Sequence, residues 1–238
     1  MAARPSPGAE NGAVLALDTA SPRVSVALAR GERVLAQREG AQRESSALLV
    51  GWIDDVLGEG GLALGDLAGA VAASGPGSFT GLRVGLATLL GFHQALGLAV
   101  TGIPTLALLA AAAPAGRRVA ALVPAGPGEW FVQLHRSDWP PAALDEPQRV
   151  PAADLAALAP TVEMLVTATA DEAARLRDVP RPVHVAGPLA PVAARLASLH
   201  PPAWDASTLS APLYLAPAPV TLPGAPKPVL PVGAGARR

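Results

Sequence analysis

The chain has 238 residues, half of them apolar, and contains no cysteine, so it can bury a sizeable core in one large domain or two lobes, while disulfides, thiolate catalysis and cysteine metal sites are excluded. The formal net charge is −1, made up of 7 Arg against 9 acids as far as Gly116 and 11 Arg plus Lys against 10 acids beyond it. Neither half is a basic domain, so a large sequence-independent phosphate-binding surface is not expected, and any RNA would be held through a partner.

Residues 1–12 read as a flexible tail without the apolar stretch of a secretory signal, and no apolar run approaches the roughly 20 residues of a membrane span. A soluble protein with cytoplasm as its default compartment follows. Val14 to Asp18 is a short apolar run ending in Asp-Thr. Arg23 to Ala29 then alternates with a β period, and Gly31 turns the chain into Val34 to Gln37. These three read as an antiparallel meander. Ser45 to Leu57 has apolar residues at helical spacing and ends in Gly58, Gly60 and Gly61. A buried strand at Ala70 to Ser74, a glycine-rich turn at Gly75 to Gly81, a helix to Leu96, a strand near Val100 to Gly102 and a helix at Thr105 to Ala113 complete a first lobe over 13–114.

The second lobe, 115–216, is expected to open with strands at Val119 to Val123 and Trp130 to His135. A helix at Ala152 to Leu158, a strand at Met164 to Ala168, a helix at Asp171 to Arg177, a strand at Val183 to Ala186 and a helix at Pro191 to Leu199 follow. Alternation of this kind implies an α/β fold. The six prolines from Pro217 to Pro231 make 217–238 a tail unsuited to regular hydrogen-bonded structure.

The two long helices carry more apolar surface than one sheet can cover. On the first, only Gly51, Asp54 and Asp55 interrupt the apolar arc; on the second, Arg83, His93 and Gln94 are the few strongly polar residues. Either both are wedged among elements of their own chain or they meet another subunit. Gly81 and Gly85, one turn apart, would allow a second helix close approach.

Two segments have the composition of a ligand site. Asp18-Thr19 ends the first strand, where α/β proteins often place a ligand carboxylate; the other reading is an Asp satisfied by the amides of its own turn. In Gly75-Pro76-Gly77-Ser78-Phe79-Thr80-Gly81, Ser78 or Thr80 can cap the helix, or the helix start can hold an anion. It is not a Walker loop, since Leu82 and Arg83 follow the last glycine. His93, His135, His184 and His200 are too far apart in sequence for a local metal site, and Ser45 and Ser46 lack a nucleophile elbow.

The strings Val14-Leu-Ala-Leu-Asp18-Thr-Ala-Ser21 and Gly75-Pro-Gly-Ser-Phe-Thr-Gly-Leu-Arg83-Val-Gly-Leu-Ala-Thr88 resemble the TsaB (YeaZ) family, with weaker likeness at Gly128-Glu129-Trp130-Phe131 and Pro212-Leu-Tyr-Leu215. Glu44-Ser45-Ser46, Pro124-Ala125-Gly126 and Ala216 depart from the family pattern. The resemblance implies a two-lobed actin/sugar-kinase/Hsp70-like fold of the ribonuclease H-like kind. It also implies a non-catalytic subunit with no metal and no tightly bound cofactor. Such a subunit would form a homodimer alone and pair with TsaD, which modifies adenosine 37 of tRNA, while TsaE joins as an ATPase; tRNA would be met only through the complex. Leu48, Leu49, Trp52, Ile53, Arg83, Leu86 and Leu90 are then the interface candidates. Asp18, Thr19, Gly77, Ser78 and Thr80 would contact a nucleotide or anion, ATP or ADP, at the complex interface. The alternative is an ATP-binding kinase or ATPase of the same fold.

Overall fold

The computed structural model describes residues 12–210, with the side chains of residues 42–47 outside that description. The two expected tails, the departures at Glu44 and Ala216 and the segment Pro212 to Leu215 therefore lie outside the described residues.

Strands β1 (Val14–Asp18), β2 (Arg23–Arg30) and β3 (Arg33–Ala41) form the expected meander, followed by helix α1 (Gln42–Gly60), strand β4 (Gly69–Ala73), helix α2 (Phe79–Leu96), strand β5 (Val100–Ile103) and helix α3 (Thr105–Ala112). The sheet runs β3-β2-β1-β4-β5, antiparallel through the meander and parallel from β1 to β5. β1 is the middle strand with both faces covered, which is why all five of its residues are buried and its sequence shows no alternation.

The rest of the chain repeats this plan. Strands β6 (Arg118–Gly126), β7 (Glu129–Arg136), β8 (Ala142–Ala143) and β9 (Gln148–Pro151) precede a 3₁₀ helix at Ala152–Leu158, strand β10 (Met164–Thr167), helix α4 (Ala170–Ala174), strand β11 (Val183–Val185), helix α5 (Ala190–Leu199) and helix α6 (Ser207–Ser210). Here the sheet runs β11-β10-β6-β7-β8, with β9 also on β7. Its first strand, β6, is again central, antiparallel to β7 and parallel to β10. The two-stranded outer layer of β8 and β9 is absent from the sequence reading, because Leu144 to Pro147 carries turn residues and β8 is only two residues long. The helix expected at Ala152 to Leu158 forms as 3₁₀, and Pro124 to Gly126, beyond the strand expected at Val119 to Val123, is the bulged end of β6.

The lobes exchange helices. α3, placed in the first lobe, packs on β6, β7 and β10; α5, placed in the second, packs on β1, β2 and β4 of the first sheet. The reason is the small-residue face of α5. Ala190, Ala193, Ala194 and Ala197 are buried and let the helix sit close to the sheet, with the Ala190 amide donating to Ser25 Oγ at 3.2 Å. Leu28, three residues along β2, faces the other way and packs under Gly60 of α1. Both faces of the inner strands β1 and β2 are thus covered.

Alternation along β6 divides its side chains between two cores. Val119 and Ala121 join the large core that spans α1, α2, α3 and α5, whereas Ala120 and Leu122 join a smaller one with Trp130, Leu155, Leu165 and Leu176. Among the described residues no helix is long and apolar enough to cross a membrane.

Candidate functional site

The turn that follows β1 and the turn that follows β4 lie against each other. The Ser78 amide donates to the Ala20 carbonyl at 2.8 Å. Only glycine suits two positions on the facing element: a Cβ at Gly77 would press on the Ala20 carbonyl, and one at Gly85 would strike Thr19 Oγ1. Gly81 and Gly85 are both buried. Gly85 therefore admits the chain's own β1–β2 turn, where the sequence left a close approach by a second helix open.

Asp18 is fully buried at the centre of this arrangement. Its Oδ1 accepts from the Ala20 amide at 3.0 Å and the Ser21 amide at 3.2 Å, the local turn read from sequence. Its Oδ2 has no hydrogen-bond partner. Burial pushes the carboxyl up to about 6, helped by the nearby Glu172 carboxylate and opposed by the Ser21 hydroxyl and the Ser21 and Ala20 amides. Thr105, at the first position of α3, also has a buried hydroxyl without a partner, while its amide donates to the Gly75 carbonyl at 2.8 Å.

Glu172 reaches this site from the second lobe and was missed by the sequence reading. Its Oε2 accepts from Thr167 Oγ1 at 2.7 Å, the Ala168 amide at 3.0 Å and the Thr169 amide at 3.1 Å, and Thr169 Oγ1 accepts from the Glu172 amide. A signal existed: Thr169-x-x-Glu172 is a capping-box spacing before a helix. Nothing in the sequence, however, says that the charge would face Asp18.

The glycine-rich turn resolves toward a cap. Ser78 Oγ accepts from the Gly81 amide at 3.2 Å, and the Ser78 amide is committed to Ala20. With those donors used inside the chain and Gly77 pressed on the β1–β2 turn, the residues do not fit a phosphate within this turn as it stands. Thr80 is exposed on the outer face of α2, and Thr19 is buried beneath that helix. Of the five residues read as nucleotide contacts, four meet at one place and Thr80 points away from it.

The interface candidates divide as well. Leu49, Ile53 and Leu86 are fully buried in the chain's own core, so they are not surface, and the wedged-helix reading holds for them. Trp52 is half-buried with its ring against Gly40 of β3, and Leu90 is half-buried against the core. Leu48 and Arg83 are exposed, the latter stacked over the Phe79 ring at 3.9 Å. Val50, also exposed on α1, was not among the candidates. Among the described residues no group of three or more His, Cys, Asp or Glu could hold a metal ion. His93 and His184 bond the Leu98 and Ala112 carbonyls.

Two lobes that repeat one five-stranded order, exchange helices and place a carboxylate at the end of the first strand define an actin-like α/β protein. Comparison with known proteins narrows this. Residues 31–140 match the family described as TsaD, tRNA N6-adenosine threonylcarbamoyltransferase. The chain is 33% identical over 128 residues to the tRNA threonylcarbamoyladenosine biosynthesis protein TsaB of Escherichia coli, covering 52% of this chain and 55% of that one. It is 39% identical over 105 residues to TsaB of Haemophilus influenzae, covering 44% of each. Among solved structures, YeaZ from Pseudomonas aeruginosa superposes with a TM-score of 0.66 at 25% identity, over 79% of this chain and 90% of that one. The chain spans about half the length of the curated relatives it matches. By sequence over about half its length, and by fold, it is similar to the proteins named TsaB and YeaZ.

Proposed function

We propose that this chain is the non-catalytic TsaB-type subunit of the complex that threonylcarbamoylates adenosine 37 of tRNA. It acts in the cytoplasm, pairs with TsaD, works alongside TsaE, meets tRNA through the assembly and forms a homodimer when alone. The observation that carries this reading is the similarity to proteins named TsaB in more than one organism.

The packing of the Gly75 to Gly81 turn on the β1–β2 turn supports the non-catalytic part. Asp18 is sealed from solvent, and the Ser78 and Gly81 amides of the turn are paired within the chain. The isolated chain accordingly holds no nucleotide tightly, and ATP or ADP binds only where TsaD contributes to the interface. The outward faces of α1 and α2, with Leu48 and Arg83, are the surface offered to the partner.

Light scattering after size exclusion tests this. The chain mixed with TsaD of the same organism should elute as a mixed complex, and Leu48→Asp with Arg83→Glu should weaken that complex without lowering the melting temperature. A monomer that ignores TsaD would overturn the proposal. Heat of binding from the isolated chain with ATP and magnesium would instead favour an ATP-using enzyme of this fold.

A further inference from the structure

The end of the second sheet opposite Glu172, where β6 and β10 begin, carries an open cleft of about 560 Å³ lined by Arg118, Pro160, Thr161, Val162, Glu163 and Arg181. Its one carboxylate is already occupied. Glu163 Oε1 accepts from Arg117 Nη1 at 2.8 Å and Oε2 accepts from the Arg118 amide at 2.9 Å. Those bonds hold the Glu163 carboxyl below its usual range.

The two lining arginines are differently placed. Arg181 donates through Nε to the Ala159 carbonyl at 2.6 Å and the Val162 carbonyl at 2.8 Å. Its guanidinium is thereby fixed on the turn that forms the cleft wall, with a weak contact of Nη1 to the Pro180 carbonyl at 3.4 Å. Arg118 is exposed, and its guanidinium makes no ion pair or hydrogen bond among the described residues. Arg136 stands opposite Arg118 in the β6–β7 register and pairs with Asp138 at 3.1 Å. Four guanidiniums thus gather around two carboxylates, both already paired, in a chain of net charge −1. Neither lining arginine has an acidic partner.

A planar guanidinium presents its donors in a fork that matches the oxygens of phosphate, and one held by its Nε loses less freedom on binding. We propose that this cleft is a phosphate-binding site formed by Arg118 and Arg181. We further assign a backbone phosphate of tRNA as its occupant, an assignment that rests on the function proposed above. Two guanidiniums serve only one or two phosphates, so the site would add to binding by an assembled complex and would hold little RNA alone, in keeping with the absence of a basic domain.

The test has two arms. In the first, the isolated full chain is titrated with inorganic phosphate while backbone amide signals are followed by NMR; saturable shifts at Arg118 and Glu163 are expected, and Arg118→Gln should abolish them. That variant removes a guanidinium with no hydrogen bond of its own, so the fold is kept even if Arg181→Gln loosens the Ala159 to Val162 turn. In the second, the complex with TsaD is titrated with tRNA across a salt series. Arg118→Gln should make the slope of log affinity against log salt shallower by about 0.9 for each phosphate that is no longer neutralised. A response in both arms establishes the site and its tRNA occupant. Shifts with free phosphate but an unchanged salt slope would overturn the tRNA assignment, and silence in the phosphate arm with an unchanged slope would overturn the site itself. Failure to pair with TsaD would defeat the functional proposal, and the phosphate titration would still decide the cleft.

Discussion

The two lobes share one strand order and differ in what fills the space around it. In the first, long α-helices bury large aliphatic side chains, Leu49, Ile53, Leu82 and Leu89 among them. In the second, the equivalent connections shrink to a 3₁₀ helix and the five-residue α4, over a small core around Trp130 and Leu165. The turn after the strand parallel to the central one, β4 or β10, is capped in both, by Ser78 in one and Thr169 in the other. The first-lobe turn is glycine-rich where it presses on the β1–β2 turn. The repeat preserves the backbone plan, and the differences lie in how closely the connections must approach.

The largest effect should come from cutting into the core of the first lobe. Ile53→Ala removes a fully buried side chain from α1 and should cost about 2–5 kcal/mol in denaturant unfolding. Leu48→Ala, one and a half turns earlier on the same helix but 46% exposed, should change stability by less than about 0.5 kcal/mol. Equal losses at the two positions would mean that Leu48 is covered by a second copy of the chain, and would move the comparison from core to interface.

How far the sequence could be read follows the same contrast. The first lobe was legible because its signals are local: alternation along β2, helical spacing in α1, and a turn whose glycines are demanded by close approach. The second was legible in its longer strands and in α5, and less so in its short connections. Seven residues at Ala152–Leu158 cannot show whether they form an α or a 3₁₀ helix, and β8 is too short to have a period. The exchange of α3 and α5 between lobes was not legible at all. Ala190, Ala193, Ala194 and Ala197 announce a helix with a small face, but not which sheet receives it. For the site, Asp18 and the facing turn could be read as motifs. The orphaned Oδ2 and the charge of Glu172 arise from contacts between distant segments, which no spacing encodes.

Asp18 provides the next test, because its counterpart region in the second lobe carries no such burden. The folded carboxyl titrates at about 6 against an unfolded value of 3.8. The folded state therefore binds the proton more tightly, and stability falls as pH rises from about 4 through 6. Asp18→Asn should erase that slope. The variant should be more stable than the parent at pH 7.5, by up to about 3 kcal/mol, with the difference closing as pH approaches 4. A variant that is less stable at pH 7.5 would show that the ionised carboxylate is compensated within the fold, as an ordinary turn aspartate would be.

The smallest expected effect concerns the edge of the first sheet, which the end of the described chain returns to cover. β5 is an edge strand, and the Gly102 amide donates to Thr208 Oγ1 at 2.7 Å, with Trp204 laid over Gly69 at the start of β4. An uncovered edge offers unpaired amides to other chains. Thr208→Val keeps the shape of the side chain and removes the acceptor, so about 1 kcal/mol should be lost. Hydrogen exchange localises the effect: the Gly102 amide should exchange faster while amides of β10 in the second sheet keep their protection. Faster exchange across both sheets would instead mean that the 200–210 segment stabilises the joint between the lobes, and that the helix exchange through α5 depends on the strap that follows it.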